Sequence, residues 1–380
     1  MKRKYALALS SAFLLWLAWP PKPFSSLLLL FALVPLLVGV ESIIQSNASY
    51  KGRKVFGLAM LTFVLWNTAC IYWVFNSINS VQPAWIALLI SLIPFGLGAL
   101  LMAIAFWLYY RLRHISTPVI SYLGLICFWI AYEYLHQSWD LAFPWMNLGN
   151  GFAHTHQLVQ WYQYTGVYGG TLWVLGTNIL VFEMYRRFKS MTLRTRSHRA
   201  ILLSVVSLWI LAPIIISITM YTGYQEKSSP ANVVVVQPNI DPYMKYGGIS
   251  LAQQLQNLIH LSDSVGQPNT EYFIWPETAI PVFCDEDNLR THESYLTIRQ
   301  WLRKYKHGHV ISGLESYLQY DTAQTITAHF DEASKKYFDH FNTAVQIENT
   351  PKVQFYHKSL LVPGVEKLPF ASLLGFMKPI

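Results

Sequence analysis

Residues Pro83–Tyr110 read PAWIALLISLIPFGLGALLMAIAFWLYY, 28 consecutive residues without one charged side chain. A helix needs roughly 20 predominantly apolar residues to cross a hydrocarbon core, where only bonds within the segment satisfy its backbone. Outward from this stretch, similar runs lie at about Ala6–Trp19, Phe24–Val40, Phe56–Phe75, Thr117–Leu135, Val167–Phe182 and Ala200–Tyr221. Residues 1–223 are therefore expected to form a membrane bundle of about seven helices. The first two runs are short and parted only by Pro20-Pro21-Lys22-Pro23. They make either two crossings or a hairpin that stops part-way. No small-x-small site follows the first run, which argues against a cleaved signal.

Composition agrees, with 53% hydrophobic and 13% charged residues. The net charge of +8 raises the question of nucleic acid, but the charge is segregated. Residues 1–223 hold 15 Lys+Arg against 4 acids, and residues 224–380 hold 13 against 16. The second part is mildly acidic, so no nucleic-acid partner is expected. Within the first part, Lys2-Arg3-Lys4, Lys51/Arg53/Lys54, Arg111/Arg113 and the set from Arg186 to Arg199 fall on alternate sides of successive helices, and only Lys22 falls opposite. Lys and Arg mark cytoplasmic loops. The N-terminus is therefore expected inside, and everything after Tyr221 outside.

Three cysteines, Cys70, Cys127 and Cys284, are too far apart for a disulfide framework or a metal spacing. Glu133, in an apolar run, is either a functional carboxylate or one paired or wet at the interface. His154 and His156 lack further ligand types nearby and read as a surface pair. The aromatic loop Phe143-Pro144-Trp145-Met146-Asn147-Leu148-Gly149 suits the headgroup region.

From Ala231 the texture changes. Ala231–Gln237, Glu271–Trp275, Val310–Ser312, Thr343–Glu348 and Lys352–Tyr356 read as strands, and Leu251–Leu261 and Ser294–Tyr305 as helices. The order β-α-β-α-β followed by a β pair predicts an α/β layered sheet over residues 224–380. Catalytic groups in such sheets stand just past the C-terminal ends of strands. Glu277 and Lys358 stand there.

The segments Trp275-Pro276-Glu277-Thr278-Ala279-Ile280-Pro281, Tyr356-His357-Lys358 and Leu361-Val362-Pro363-Gly364-Val365-Glu366 resemble the apolipoprotein N-acyltransferases, membrane members of the nitrilase superfamily. Gln237-Pro238-Asn239-Ile240, with Lys245 after it, and Phe341-Asn342-Thr343 resemble family segments too. So do Ile71-Tyr72-Trp73-Val74, Phe143-Pro144-Trp145 and Gly166-Val167-Tyr168-Gly169 in the membrane part. The resemblance implies an extracytoplasmic nitrilase-like α-β-β-α sandwich on a bacterial inner-membrane bundle. It implies transfer of an acyl chain from a phospholipid donor to the α-amino group of a diacylated lipoprotein, with no cofactor and no metal.

In those terms Glu277 is the general base, Lys358 the oxyanion stabiliser and Glu366 a second supporting carboxylate. Two departures stand out. The family's Val-Pro-Phe-Gly-Glu is spelled Val362-Pro363-Gly364-Val365-Glu366 here. Its nucleophile, a cysteine well downstream of the lysine, does not occur in the 22 residues after Lys358. The sequence therefore reads as the N-terminal part of a longer protein, or a truncated product, with an incomplete outer domain. Cys284 is no substitute, because Asp285, Glu286 and Asp287 should raise its pKa. A membrane-tethered amidase of the nitrilase type and an inactive lipid- or lipoprotein-binding paralogue are the alternatives.

Overall fold

The computed structural model describes residues 2–22, 25–78, 84–190, 196–226, 229–245, 247–325, 328–364, 366–367, 369–370 and 373. The chain divides into two compact units, Met1–Gln225 and Glu226–Ile380. Most of the apolar loop Leu368–Met377, which the sequence suggests as a membrane-surface element, lies outside the described residues.

The first unit is helical: α1 (Lys2–Ala18), α2 (Leu29–Ala32), α3 (Val34–Ile44), α4 (Lys51–Ile71), α5 (Trp73–Ile78), α6 (Ala84–Ile115), α7 (Pro118–Ser138), α8 (Tyr162–Lys189) and α9 (Arg196–Gly223). Six described segments are long and apolar enough to cross a membrane, among them Ser25–Ile44 as one interrupted span; α1, at 17 residues, is shorter. Phe63, Trp66, Phe106 and Trp129 fill the centre, with Phe63 5.3 Å from Trp129 and 5.5 Å from Phe106 between ring centroids. The outer surface is equally apolar. In α9 the most apolar window has mean hydropathy 2.6 and only 11% of it is buried, with Leu208, Leu211 and Ile215 facing outward. Such a surface is stable only against lipid.

The second span breaks at Leu33 because other helices take over its backbone. Asn178 of α8 accepts from Leu33 N and donates to Leu29 O, both at 2.8 Å, and Ser11 of α1 accepts from Leu36 N at 2.8 Å. A broken helix at membrane depth requires such partners.

The loop expected among headgroups folds partly into the bundle instead. Met146, Asn147 and Leu148 are buried, while Trp145 is 53% exposed. Glu133 draws the loop in. Its carboxylate accepts from Leu148 N (2.9 Å), Trp129 Nε1 (3.0 Å) and Thr171 Oγ1 (2.7 Å), tying α7, the loop and α8 together. Glu133 is thus paired and wholly buried, not wet. Gly149 allows the close approach, since a Cβ there would stand 2.1 Å from the Val167 carbonyl oxygen.

The second unit holds β1 (Asn232–Val235), α10 (Pro242–Lys245), α11 (Leu251–Val265), β2 (Thr270–Ile274), β3 (Ile280–Asp285), α12 (Glu293–Leu302), β4 (His309–Tyr320), β5 (His329–Asp331), β6 (Lys336–Glu348) and β7 (Val353–His357). These strands form one mixed sheet in the order β1-β2-β4-β6-β5. β3 pairs with β4 beyond the end of β2, and β7 pairs with β6. β1, β2 and β4 are parallel, whereas β4 and β6 are antiparallel from His309↔Glu348 to Tyr320↔Tyr337. Phe273, Trp275, Trp301 and Tyr305 pack edge-on or stacked where α12 meets β2.

All five expected strands and both helices are present, but β4 and β6 run far past Val310–Ser312 and Thr343–Glu348, and β3 and β5 are additions to the expected set. The extensions carry polar residues such as Glu315, Gln319, Asp339 and His340, which break the apolar pattern. They are held by their mutual ladder, a tertiary cause that local pattern does not register.

Candidate functional site

β2 runs straight into the first candidate residue. Trp275 donates through its backbone N to Ile311 O (2.8 Å) and through Nε1 to Ser262 Oγ (2.9 Å), and is buried. Gly313 N then bonds Pro276 O at 3.1 Å, and Thr278 takes a left-handed backbone, φ +51°. Gly313 has to be glycine, because a Cβ would meet Thr278 N at 2.3 Å and Glu277 Cα at 2.7 Å. Between these fixed points Glu277 turns off the sheet end.

Lys358 arrives from β7 and is pinned by its own N–H to Asn342 O of β6 at 2.8 Å. Glu366 comes from the following loop, where Glu366 N bonds Val362 O at 2.9 Å and Val362 N bonds Glu366 Oε2 at 2.8 Å. The permuted spelling Val362–Glu366 thus still presents its glutamate to the lysine.

The three side chains meet. Lys358 Nζ lies 2.7 Å from Glu366 Oε1 and 3.2 Å from Glu277 Oε1. Asn342 Nδ2 donates to the same two oxygens, at 3.1 Å to Glu366 and 2.5 Å to Glu277. One ammonium and one amide therefore serve two carboxylates. The Asn342 hydrogen bond, then Lys358, hold the Glu277 carboxyl below its usual range. Burial pushes Glu366 up, but Lys358, Val362 N–H and Asn342 together outweigh it and the net shift is down. Lys358 is raised, first by its bond to Glu366. At neutral pH both acids are ionised and the lysine is charged.

Exposure distinguishes the three side chains. Glu366 is 20% exposed and Lys358 31%, whereas Glu277 is 62% exposed and open to a reactant's proton. Lys245, on α10, has its pKa lowered by burial, with Glu315 and Glu277 acting against that.

Asn342 is the residue that sequence reasoning misses. Phe341-Asn342-Thr343 stands out in the chain only as a family-like segment; the antiparallel register with β4 and the bond to Lys358 N are what aim it at the cluster. A second polar network steadies the same strands. Glu286 accepts from Ser316 Oγ (2.6 Å) and bonds His357 Nε2 (2.7 Å), Ser316 meets Thr343 Oγ1 at 2.7 Å, and His357 stacks on Phe341 at 3.9 Å. Of these, Phe341 and Thr343 flank Asn342 and His357 precedes Lys358 directly in sequence. Cys284 lies in β3, buried, its thiol pushed up to about 11 by burial, then by Glu286 and Asp285.

In the helical unit the three family-like segments converge on one cavity of about 700 Å³. Tyr72 and Trp73, Trp145, and Val167 all line it, with Trp73 and Trp145 rings 5.4 Å apart. His154 and His156 stand exposed on the same lining. The walls are mainly apolar, the surface an acyl chain would fit.

Comparison with known proteins agrees with both parts. Residues 11–180 match the family model described as Apolipoprotein N-acyltransferase N-terminal domain. An apolipoprotein N-acyltransferase of Chlorobaculum tepidum is 24% identical over 100% of this chain and 68% of its own length. Its counterpart in Geobacter metallireducens is 23% identical over 75% of this chain, and that in Pseudomonas putida 24% over 81%. The chain spans 53% and 57% of those two relatives. With that N-terminal domain matched and relatives of one name aligned along its length, the chain is similar to the apolipoprotein N-acyltransferases in both of its parts.

Proposed function

We propose that this chain takes part in N-acylation of lipoproteins, moving an acyl chain from a phospholipid to the α-amino group of a diacylated lipoprotein N-terminus through a thioester. The observation that carries the reading is the Glu277–Lys358–Glu366 cluster tied by Asn342. A cysteine thiol gives its proton to Glu277 and attacks the ester carbonyl. The tetrahedral oxyanion lies against Lys358, and collapse breaks the ester bond, the proton passing from Glu277 to the departing lysophospholipid alcohol. The lipoprotein amine then attacks the thioester, loses its proton to Glu277, and the thiol is restored. Positioned charge at a developing oxyanion is worth several kcal/mol, at least the ~2.7–4 kcal/mol of one lost neutral donor. Glu366 holds the lysine in place. Cys284, buried in its strand, does not suit the nucleophile's role.

The apolar cavity supports lipid as donor, and we read the Glu226–Ile380 unit as part of a nitrilase-like sandwich. Clustering of Arg3, Lys4, Arg186 and Lys189 at one end of the bundle supports a cytoplasmic N-terminus in a bacterial inner membrane. Gln160 N donates to Ser217 Oγ at the other end, which supports an exit of the chain on the side away from those cations. The test is acyl transfer from labelled phospholipid to a diacylated lipopeptide, using membranes that express the whole gene. Glu277→Gln and Lys358→Ala should each lower transfer by more than a hundredfold with membrane insertion unchanged. Wild-type rates in either variant overturn the assignment.

A further inference from the structure

At the cationic end of the bundle the start of α1 and the last turns of α3 and α8 enclose a second cavity, of about 400 Å³. Its floor is apolar, formed by Leu7, Val38 and Phe182. Its lining carries four cations, Arg3, Lys4, Arg186 and Lys189, against one carboxylate, Glu41. The acids nearby are already engaged. Glu183 holds Arg186 through two bonds of 2.8 Å and Arg187 through one of 2.7 Å. Glu41 faces Arg113 at 3.5 Å and accepts from Gln45 at 2.8 Å.

Arg3, Lys4 and Lys189 have no carboxylate partner among the described residues; Lys4 Nζ reaches only the Ser42 carbonyl, at 3.5 Å. Three cations around an apolar-floored cleft at the membrane boundary make a site for a phosphate that carries hydrocarbon with it. The buried Glu41 Oε2 has no partner, and suits a hydroxyl donor next to that phosphate.

We propose that this cleft binds the phosphate diester of an anionic glycerophospholipid from the leaflet on the cationic side of the bundle, separately from the acyl-donor cavity at the other end. The cations bind the phosphate, Glu41 accepts from the headgroup hydroxyl, and the first methylenes of a chain lie on Leu7, Val38 and Phe182. The site rests on the membrane bundle alone and stands whether or not the acyl-transfer reading does.

The test is native mass spectrometry of the full protein in detergent, titrated with phosphatidylglycerol or phosphatidylcholine, with and without inorganic phosphate. Each basic side chain at an anionic lipid contributes a factor of about five. Arg3→Gln with Lys189→Gln should therefore weaken phosphatidylglycerol binding by roughly 25-fold, whereas Arg53→Gln with Lys54→Gln, on the same end but away from the cleft, should leave it within about twofold. Equal loss in both pairs, or none in the first, overturns the proposal. Displacement by millimolar phosphate would make the ligand the free anion and equally overturn the lipid assignment.

Discussion

Replacing Glu133 by leucine removes the acceptor of three hydrogen bonds from the centre of the helical unit, and the structure sets how much that costs. A buried donor left unsatisfied costs about 1–3 kcal/mol. The three donors are not equal. The Thr171 hydroxyl, which accepts from Gly149 N at 3.2 Å, can rotate its proton toward another acceptor. The Trp129 indole is clamped by ring contacts to Phe63, Phe106 and Tyr132, and Leu148 N is fixed by its backbone, so these two stay orphaned. Polar contacts between membrane helices average only about 0.6 kcal/mol, because separated helices find other partners. A carboxyl acceptor serving two immobile donors lies above that average, and about 3 kcal/mol is the resulting expectation. For a unit of this size that is roughly 6–12 °C in melting temperature. Glu133→Gln keeps one oxygen for Trp129 and Leu148 while its amide donates to Thr171, and should lose less than about 3 °C. The assay is a fluorescence melt of the purified protein in detergent. A glutamine variant as unstable as the leucine one would show that charge, not acceptor geometry, is what Glu133 supplies, and an unshifted leucine variant would contradict the hydrogen-bond account altogether.

Asn342→Ala should lift the Glu277 carboxyl back toward its ordinary value, since Asn342 is the largest cause of its lowering. A depressed carboxyl contributes stability above its unfolded pKa that is lost as pH falls through the folded one, so the acid limb of the pH–rate profile should move to higher pH and kcat/KM fall roughly tenfold; an unmoved limb would exclude Asn342 from the cluster. Cys284, with a thiol pKa of about 11, is about one part in a thousand thiolate at pH 8. Peptide mapping after iodoacetamide treatment should find it modified at least tenfold more slowly in the native protein than in the unfolded chain, and equal rates would contradict its burial.

The candidate site shows how far local pattern reaches. Glu277 and Lys358 are legible because strand ends are legible: Phe273-Ile274-Trp275 and Phe355-Tyr356 are short β-type runs, and the residues just after such a run stand at the rim of a sheet. Asn342 is not. It lies in the middle of β6, six residues past Lys336 and six before Glu348, and no local feature separates it from a solvated strand residue until the β4–β6 register is known. Glu133 is legible as unusual but not as structural, because its three donors come from α7, the loop after it and α8.

Linear pattern alone divided the chain into a lipid-solvated bundle and an α/β unit, since hydropathy over some 20 residues and the alternation of Lys/Arg loops are one-dimensional properties of the chain. It also determined which charged residues end strands. The packed fold was needed to bring out that Glu277, Lys358 and Glu366, up to 89 positions apart in the chain, share one amide and one ammonium, that three aromatic segments close on one cavity, and that a second, cationic cleft opens at the other end of the bundle. Such relations depend on strand register and helix packing, which arise from contacts between distant residues and leave no periodic trace in the chain.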